Sequence, residues 1–165
     1  MANRDHVVRE GISAGLIGAT AIAVWFGIID IVRGQMLATP VMLGTSLGSL
    51  FLGGDPPSRA AAFIGYTLFH ITLFILIGLL LSWVVNAAEK TPSALIGFLG
   101  LFVAFEVGWI GWTTVLSQRD SFGELSWLQV FVANLIAAVV MGWYMWRQHP
   151  SLAGRVDRVV AGAPE

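Results

Sequence analysis

The stretch TPSALIGFLGLFVAFEVGWIGWTTVLSQ, residues 91–118, lies between Lys90 and Arg119 and carries a single charge, that of Glu106. Because about 20 predominantly apolar residues are enough for a helix to cross a bilayer, this run predicts a membrane-spanning helix. A lone acid inside such a helix costs roughly 2.5–3.5 kcal/mol on insertion scales unless it is neutralised or paired. The sequence therefore predicts that another part of the chain supplies a partner for Glu106.

The composition of the whole chain is that of a membrane protein. Hydrophobic residues make up 56% of the 165 residues and charged residues only 12%, about half of the ~25% that is usual in soluble domains. The apolar residues lie in long blocks without the alternation of a transmembrane β-strand, so helices are expected rather than a barrel. A net charge of −1 gives no indication of nucleic-acid binding, and the absence of cysteine excludes disulfides and thiolate metal ligands.

We predict an all-α integral membrane protein, in which one domain over residues 1–165 holds four transmembrane helices in a bundle. The expected spans are 11–32, 60–88, 92–116 and 125–146, and a polar tail follows at 147–165. The apolar run of the first span continues past the small-residue triplet at 21–23, so we expect a membrane helix there rather than a cleaved signal peptide.

A short helix is predicted between the first and second spans. Thr39 followed by Pro40 is typical of a helix start, with threonine as the N-cap and proline at the first helical position. The segment 40–52 is apolar but too short to span a membrane, which favours an interfacial or re-entrant helix.

The basic residues predict which side of the membrane each terminus occupies. Four spans place both termini on one side, which would then hold six of the nine Lys and Arg residues. Since cytoplasmic loops and termini carry the excess of basic residues, both termini are expected in the cytoplasm.

Two predicted spans carry small residues at every fourth position. Such stripes allow helix backbones to approach closely in lipid, so we expect both to be helix–helix contacts. Their members are Gly11, Gly15, Ala19, Ala23 and Gly27 in the first span, and Gly100, Ala104 and Gly108 in the third. Asp30 follows on the same face as Gly27, and we expect it to be a helix-end acid paired with Arg33.

Polar residues from different spans predict an intramembrane polar cluster. At ~1.5 Å of rise per residue, His70 lies roughly 16 Å, Glu106 about 20 Å and Asn134 ~15 Å from the outer boundary. The members assigned to the cluster are His70, Glu106, Asn134, Tyr66, Thr67 and Asp30. Two interpretations stay open: a hydrogen-bonded clamp between helices, or a proton-accepting or ligand-binding site.

No catalytic or metal-binding motif accompanies these residues. The chain contains no H-E-x-x-H sequence, and the glycines at 11–18 follow no strand that could form a phosphate loop. Of the three histidines, His6 and His149 lie outside the predicted spans. We therefore predict no catalytic residue, no metal and no cofactor.

A set of residues in and after the first span carries a resemblance to a known group of proteins. These residues are Trp25, Phe26, Asp30, Gly34, Thr39, Pro40, Leu43 and Gly44. Together with the four-span layout, the pattern resembles small uncharacterised bacterial membrane proteins. The resemblance covers all four spans and implies a bacterial inner membrane, and the group carries no established activity.

The expected function is that of a non-catalytic accessory or scaffold subunit of a bacterial membrane complex. Its partners would be the lipid bilayer and either other membrane subunits or a second copy of the chain, packed through the small-residue stripes. The alternative is a small transporter, or a proton- or ligand-binding membrane protein, centred on His70 and Glu106. An intramembrane enzyme is the third hypothesis.

Overall fold

The computed structural model describes residues 4–51, 55–88, 103 and 127–150. These residues form four helices, and none of them forms a strand. In chain order the helices are α1 (Arg4–Val32), α2 (Ala38–Phe51), α3 (Arg59–Ala88) and α4 (Trp127–Gln148).

Three of these helices, α1, α3 and α4, are long and apolar enough to cross a membrane. Helices α3 and α4 coincide within a few residues with the predicted spans 60–88 and 125–146. Helix α1 begins seven residues before the predicted span 11–32. The predicted third span, 92–116, lies outside the described residues together with Glu106 and the stripe Gly100, Ala104 and Gly108. The four-span bundle therefore stays a prediction.

Helix α1 lies between its two long neighbours. It packs along α3 on one side and along α4 on another, whereas α3 and α4 hardly touch each other. The core that joins the three helices consists mainly of small and aliphatic side chains, among them Ala14, Ile22, Leu81, Ala137 and Met141, together with the aromatic Phe26 and Phe74. Among the described residues, α3 and α4 are therefore linked mainly through α1 or across its end.

The backbones of α1 and α3 approach closely where glycines face each other. A Cβ atom at Gly11 would lie 2.7 Å from Leu79 Cα, and one at Gly15 would lie 2.7 Å from Ile75 Cα. A Cβ at Gly78 of α3 would in turn lie 2.8 Å from Gly15 Cα. Since real Cβ atoms do not approach backbone atoms this closely, glycine is required at all three positions.

The predicted stripe of α1 follows this contact only over its first half. Gly11, Gly15 and Ala19 are buried, whereas Ala23 is exposed. No atom of the described residues comes within 4 Å of a Cβ built at Gly27. Among the described residues, only the first half of the stripe therefore lies in this contact, because a helix turns about 100° per residue and an exact fourfold spacing drifts by about 40° at each step. Over four steps the drift is about 160°, so the ends of the stripe face nearly opposite directions.

The connection from α1 to α2 is a tight turn with two residues in the left-handed region. Gly34 has φ +68° and closes α1: its N–H donates to Ile31 O at 3.0 Å, and the N–H of Gln35 donates to Asp30 O at 2.9 Å. This is the hydrogen-bond pattern of a Schellman cap, in which glycine avoids the steric cost of a side chain. Leu37, with φ 63°, adopts the same region just before α2.

Helix α2 lies where the sequence predicts a short helix, and it packs against α3. Gly44 meets the backbone of Ala62 at this contact, and a Cβ at Gly48 would lie 2.9 Å from the ring of Pro57. Its position at a membrane interface stays a prediction.

Candidate functional site

A buried carboxylate, that of Glu10 in α1, has the densest set of polar contacts among the described residues. Its side chain is 3% exposed. Glu10 Oε1 accepts a hydrogen bond from His149 Nε2 at 2.8 Å, and Oε2 accepts one from Ser82 Oγ at 3.0 Å. Asn86 Nδ2 lies 3.5 Å and His6 Nδ1 3.8 Å from the same Oε2. We refer to these five residues as the Glu10 cluster.

The ends of three helices bring the Glu10 cluster together. Glu10 lies in the second turn of α1, Ser82 and Asn86 lie in the last two turns of α3, and His149 directly follows α4. The N–H of His149 donates to Met145 O at 3.1 Å, which continues the hydrogen bonding of α4 by one residue. The ring of His149 lies beside Glu10 and is 6% exposed.

The hydroxyl of Ser82 is arranged as a helix link and not as a nucleophile. Its oxygen lies 3.0 Å from both Val7 O and Glu10 Oε2, and its single hydrogen can be donated to only one of them at a time. In a serine–histidine–acid triad the histidine stands between the serine and the acid. Here the acid stands between Ser82 and His149, so the imidazole is not placed to remove the serine proton.

His70 contacts the backbone of α1 near the middle of α3. Its Nε2 lies 3.2 Å from Ala19 O, and because a carbonyl only accepts, this nitrogen carries the hydrogen. The ring is half-buried between two aromatic neighbours on its own helix: Tyr66 at 5.5 Å between ring centroids and Phe74 at 4.8 Å. His70 thus joins α3 to α1 through a side chain-to-backbone hydrogen bond.

Asp30, the second buried acid of α1, is satisfied locally by the start of α2. It is 2% exposed; its Oδ2 accepts from Thr39 N at 2.9 Å and its Oδ1 from Thr39 Oγ1 at 2.7 Å. The first bond of α2 runs from Val41 N to Leu37 O, so Leu37 occupies the N-cap position and has no side-chain oxygen to offer. Asp30 supplies that oxygen from the preceding helix.

Two predictions about this turn are corrected by these contacts. Thr39 was expected as the N-cap of the short helix, but it lies two positions inside, where its own N–H needs an acceptor. Asp30 was expected to pair with Arg33, and among the described ion pairs no Asp30–Arg33 contact occurs. Two hydrogen bonds from Thr39 stabilise a buried carboxylate more than an ion pair with a flexible surface side chain does.

The predicted intramembrane polar cluster is assembled only in part. Tyr66 stacks on His70, while Thr67 donates to Phe63 O of its own helix at 2.7 Å. Asn134 is half-buried on α4, a helix that hardly touches α3, and Asp30 lies at the far end of α1 with Thr39. The predicted meeting of His70 with Glu106 stays a prediction, since Glu106 lies outside the described residues.

Sequence reasoning missed the Glu10 cluster because it set His149 aside as a residue of the polar tail. Three signals could have pointed to the cluster. His6 and Glu10 are four residues apart on one helix face, as are Ser82 and Asn86. His149 follows the last span, and the predicted topology places all five residues at the same membrane boundary.

No protein-family model matches this sequence, and no curated protein or solved structure is significantly similar to it. The resemblance to small bacterial membrane proteins therefore stays a prediction. Within the described part of the chain, no group of three or more His, Cys, Asp or Glu side chains is arranged to hold a metal ion.

Proposed function

We propose that this protein is a non-catalytic accessory or scaffold subunit of a bacterial inner-membrane complex, and that it packs against another membrane subunit or a second copy. One observation carries the proposal: the small-residue stripe of α1 is filled over only half of its length. Ala23 is exposed and Gly27 has open space beside it in the described structure, and the neighbouring Ile28 is an exposed apolar side chain.

The physics of helix association in lipid supports this use of the open half. Apolar contact alone gives little drive to helix association in a bilayer, so close packing against small residues contributes much of the free energy of association. Gly11 and Gly15 illustrate this on the same helix, because there the backbone of α3 fills the groove that the glycines leave. A partner helix that approached Ala23 and Gly27 would make the same kind of contact.

The buried polar groups support a structural role. Glu10, Asp30 and His70 each bond to protein groups from another helix or the start of one. Such bonds contribute on average about 0.6 kcal/mol each in a membrane protein. They hold the helices in register, which is what a rigid packing subunit needs.

The experiment is co-purification from native membranes with leucine variants of α1. Ala23→Leu would fill the open half of the stripe, so we expect it to lose the co-purifying subunit while the purified chain keeps its thermal stability in detergent. Val24→Leu is the matched control on the neighbouring exposed position and should keep both. Mass spectrometry identifies the partner, and two differently tagged copies expressed together reveal a homo-oligomer.

Two results would overturn the proposal. One is a wild-type chain that leaves the native membrane without any partner or second copy under mild extraction. The other is Ala23→Leu that retains its partner as well as Val24→Leu does.

The proposed orientation has both termini in the cytoplasm and is supported by the distribution of basic residues. Two matched variants test it in a chain without cysteine: Asp5→Cys near the start of α1 and Asp55→Cys before α3, both at exposed positions. An impermeant thiol reagent applied to intact cells should label Asp55→Cys and leave Asp5→Cys unlabelled. The opposite pattern would reverse the orientation.

The alternative function, a small transporter or a proton- or ligand-binding protein centred on His70 and Glu106, is favoured by the half-buried imidazole of His70 inside a candidate span. Glu106→Gln removes the titrating group and preserves its hydrogen-bonding capacity. Loss of pH-dependent uptake into liposomes with unchanged folding would favour this alternative, and unchanged partner binding without any uptake would favour the scaffold.

A further inference from the structure

One face of α4 carries a row of exposed apolar side chains that ends in an arginine. Leu135 is 44%, Val139 61% and Trp143 57% exposed, and Arg147, also exposed, follows at the same spacing of four residues. Residues four apart are neighbours on a helix surface. Although such a row winds about 40° round the helix at each step, all four members stay exposed. From the middle of α4 to its C-terminal end, the row therefore offers an aliphatic stretch, an aromatic ring and a cation.

The ring of Trp143 holds the guanidinium of Arg147. The carbon Cζ of Arg147 lies 4.0 Å from the ring centroid, which is a cation–π contact. The face of a ring satisfies none of the N–H donors of a guanidinium by a conventional hydrogen bond. In the ion pairs of the described residues the acid is Glu10, and Arg147 takes no part in them. Within the described part of the chain, Arg147 is thus an exposed cation that is held in place and still has donors to offer.

The position of this row on a candidate membrane span decides what surrounds it. Helix α4 is long and apolar enough to cross a membrane, so Leu135 and Val139 would face hydrocarbon. Trp143 and the neighbouring Trp146, which is 47% exposed, would lie at the edge of the hydrocarbon, where tryptophan is enriched. Arginine near the end of a membrane helix extends its charged head towards the interface. Arg147 is therefore expected at the level of the lipid head groups.

A ligand that fits this row needs an anionic group at one end and an apolar chain at the other. The planar guanidinium donates two parallel hydrogen bonds to the oxygens of a phosphate. Because Trp143 already restricts the arginine side chain, less conformational freedom is left to lose on binding. Leu135 and Val139 offer apolar contact below the ring. A phospholipid combines both parts, and a head group with a net negative charge complements Arg147 without placing a second cation beside it.

We propose that Arg147, Trp143, Val139 and Leu135 form a binding site for an anionic phospholipid, whose phosphate binds the guanidinium and whose acyl chain lies along the apolar part of the row. The site goes beyond the scaffold function, because it gives the chain a lipid ligand. It also uses α4, whereas the scaffold function depends on the open half of the α1 stripe. Each proposal can therefore fail without the other.

Native mass spectrometry of the full chain, purified in a mild detergent, tests the site. The chain is mixed with equal amounts of phosphatidylglycerol and phosphatidylcholine that carry identical acyl chains. Both lipids contain a phosphate, but the choline group adds a positive charge, so the net charge of the two head groups differs. We expect the complex with one bound lipid to contain phosphatidylglycerol at least about fivefold more often, the ratio that corresponds to one basic residue near anionic lipid.

Four variants separate the site from general attraction. Arg147→Gln should lower the preference for phosphatidylglycerol about fivefold, and Trp143→Leu should lower it in part, because the guanidinium is then no longer held. Trp83→Leu is the control for the ring: Trp83 is 64% exposed on α3 and takes part in no described cation–π contact. Arg33→Gln is the control for the charge, at an exposed position after the opposite end of α1. Both controls should keep the wild-type preference.

Three outcomes would overturn the proposal. The first is equal binding of the two lipids by the wild type. The second is an equal loss of preference in Arg147→Gln and Arg33→Gln, which indicates attraction by net charge alone. The third is displacement of phosphatidylglycerol by an equal concentration of glycerol phosphate, its soluble head-group fragment, which indicates a site for phosphate and not for a lipid. If Arg147→Gln fails to fold, Trp143→Leu decides: a preference equal to that of Trp83→Leu contradicts the site.

Discussion

The two halves of α1 contain similar residues but are held in different ways. In the first half, Gly11 and Gly15 touch the backbone of α3, and Glu10 is held by residues more than 70 positions away in the chain. In the second half, no described atom lies within 4 Å of a Cβ built at Gly27, and Asp30 bonds to a residue nine positions later. The first half therefore depends on tertiary packing, and the second half on a local cap. Substitutions that match across the two halves should consequently have unequal effects.

The largest effect is expected at Glu10. Removal of Glu10 leaves several buried polar groups without a hydrogen-bond partner, which costs roughly 1–3 kcal/mol for each such group. Glu10→Ala should therefore lower the free energy of unfolding by this order, measured by reversible unfolding in mixed detergent. Asp5→Ala, an exposed acid on the same helix, is the control and should stay within about 0.5 kcal/mol of the wild type. If the two variants lose equal free energy of unfolding, the buried contacts of Glu10 do not stabilise the protein more than an exposed acid does.

Alanine in place of Gly15 should lower the stability of the protein, and alanine in place of Gly27 should raise it. In Gly15→Ala the new methyl group would meet the backbone of α3, 2.7 Å from Ile75 Cα, and overpacking of this kind costs about 1–3 kcal/mol. Gly27→Ala meets no described atom within 4 Å, and alanine in place of a helical glycine is favourable by roughly 0.5–1 kcal/mol. Thermal unfolding of the purified chain in detergent measures both. Two losses of equal size would mean that the second half of α1 is packed as tightly as the first.

Asp30→Ala should have a smaller and more local effect than Glu10→Ala. Loss of a capping side chain costs about 0.5–2 kcal/mol, and the acceptor for the N–H of Thr39 disappears with it. Hydrogen exchange should quicken at the start of α2 and remain unchanged in α4. Asp30→Asn keeps one acceptor oxygen and should fall between the wild type and Asp30→Ala. Unchanged exchange at the start of α2 would contradict the assignment of Asp30 as its cap.

The sequence allows the class of protein and the positions of α1, α3 and α4 to be predicted, because apolar runs of this length are typical of helices that cross a membrane. The Glu10 cluster could not be predicted in the same way. Its carboxylate and its histidine are 139 residues apart, and no local pattern states that the ends of α1 and α4 meet. The stripe of α1 shows a different limit: a spacing of four residues was treated as one face, although a helix has about 3.6 residues per turn.

The cap of α2 could be predicted in part. Thr39 and Pro40 correctly indicate that a helix starts nearby, since both residue types favour the first turn. What the pattern does not contain is the acceptor for Thr39. The Schellman turn at Gly34 reverses the chain and brings Asp30 back to the start of α2. Local propensity gave the helix start to within two residues, and the tertiary turn decided which side chain capped it.

A double-mutant cycle between Glu10 and His149 tests most directly whether this pair ties α4 to α1 and α3. The free energy of unfolding would be measured in detergent at neutral pH for the wild type, Glu10→Gln, His149→Gln and the double variant. The 2.8 Å bond between the buried side chains predicts a coupling energy above about 1 kcal/mol, within the range found for residues in direct contact. Additivity within about 0.3–0.5 kcal/mol, as for independent sites, would contradict it.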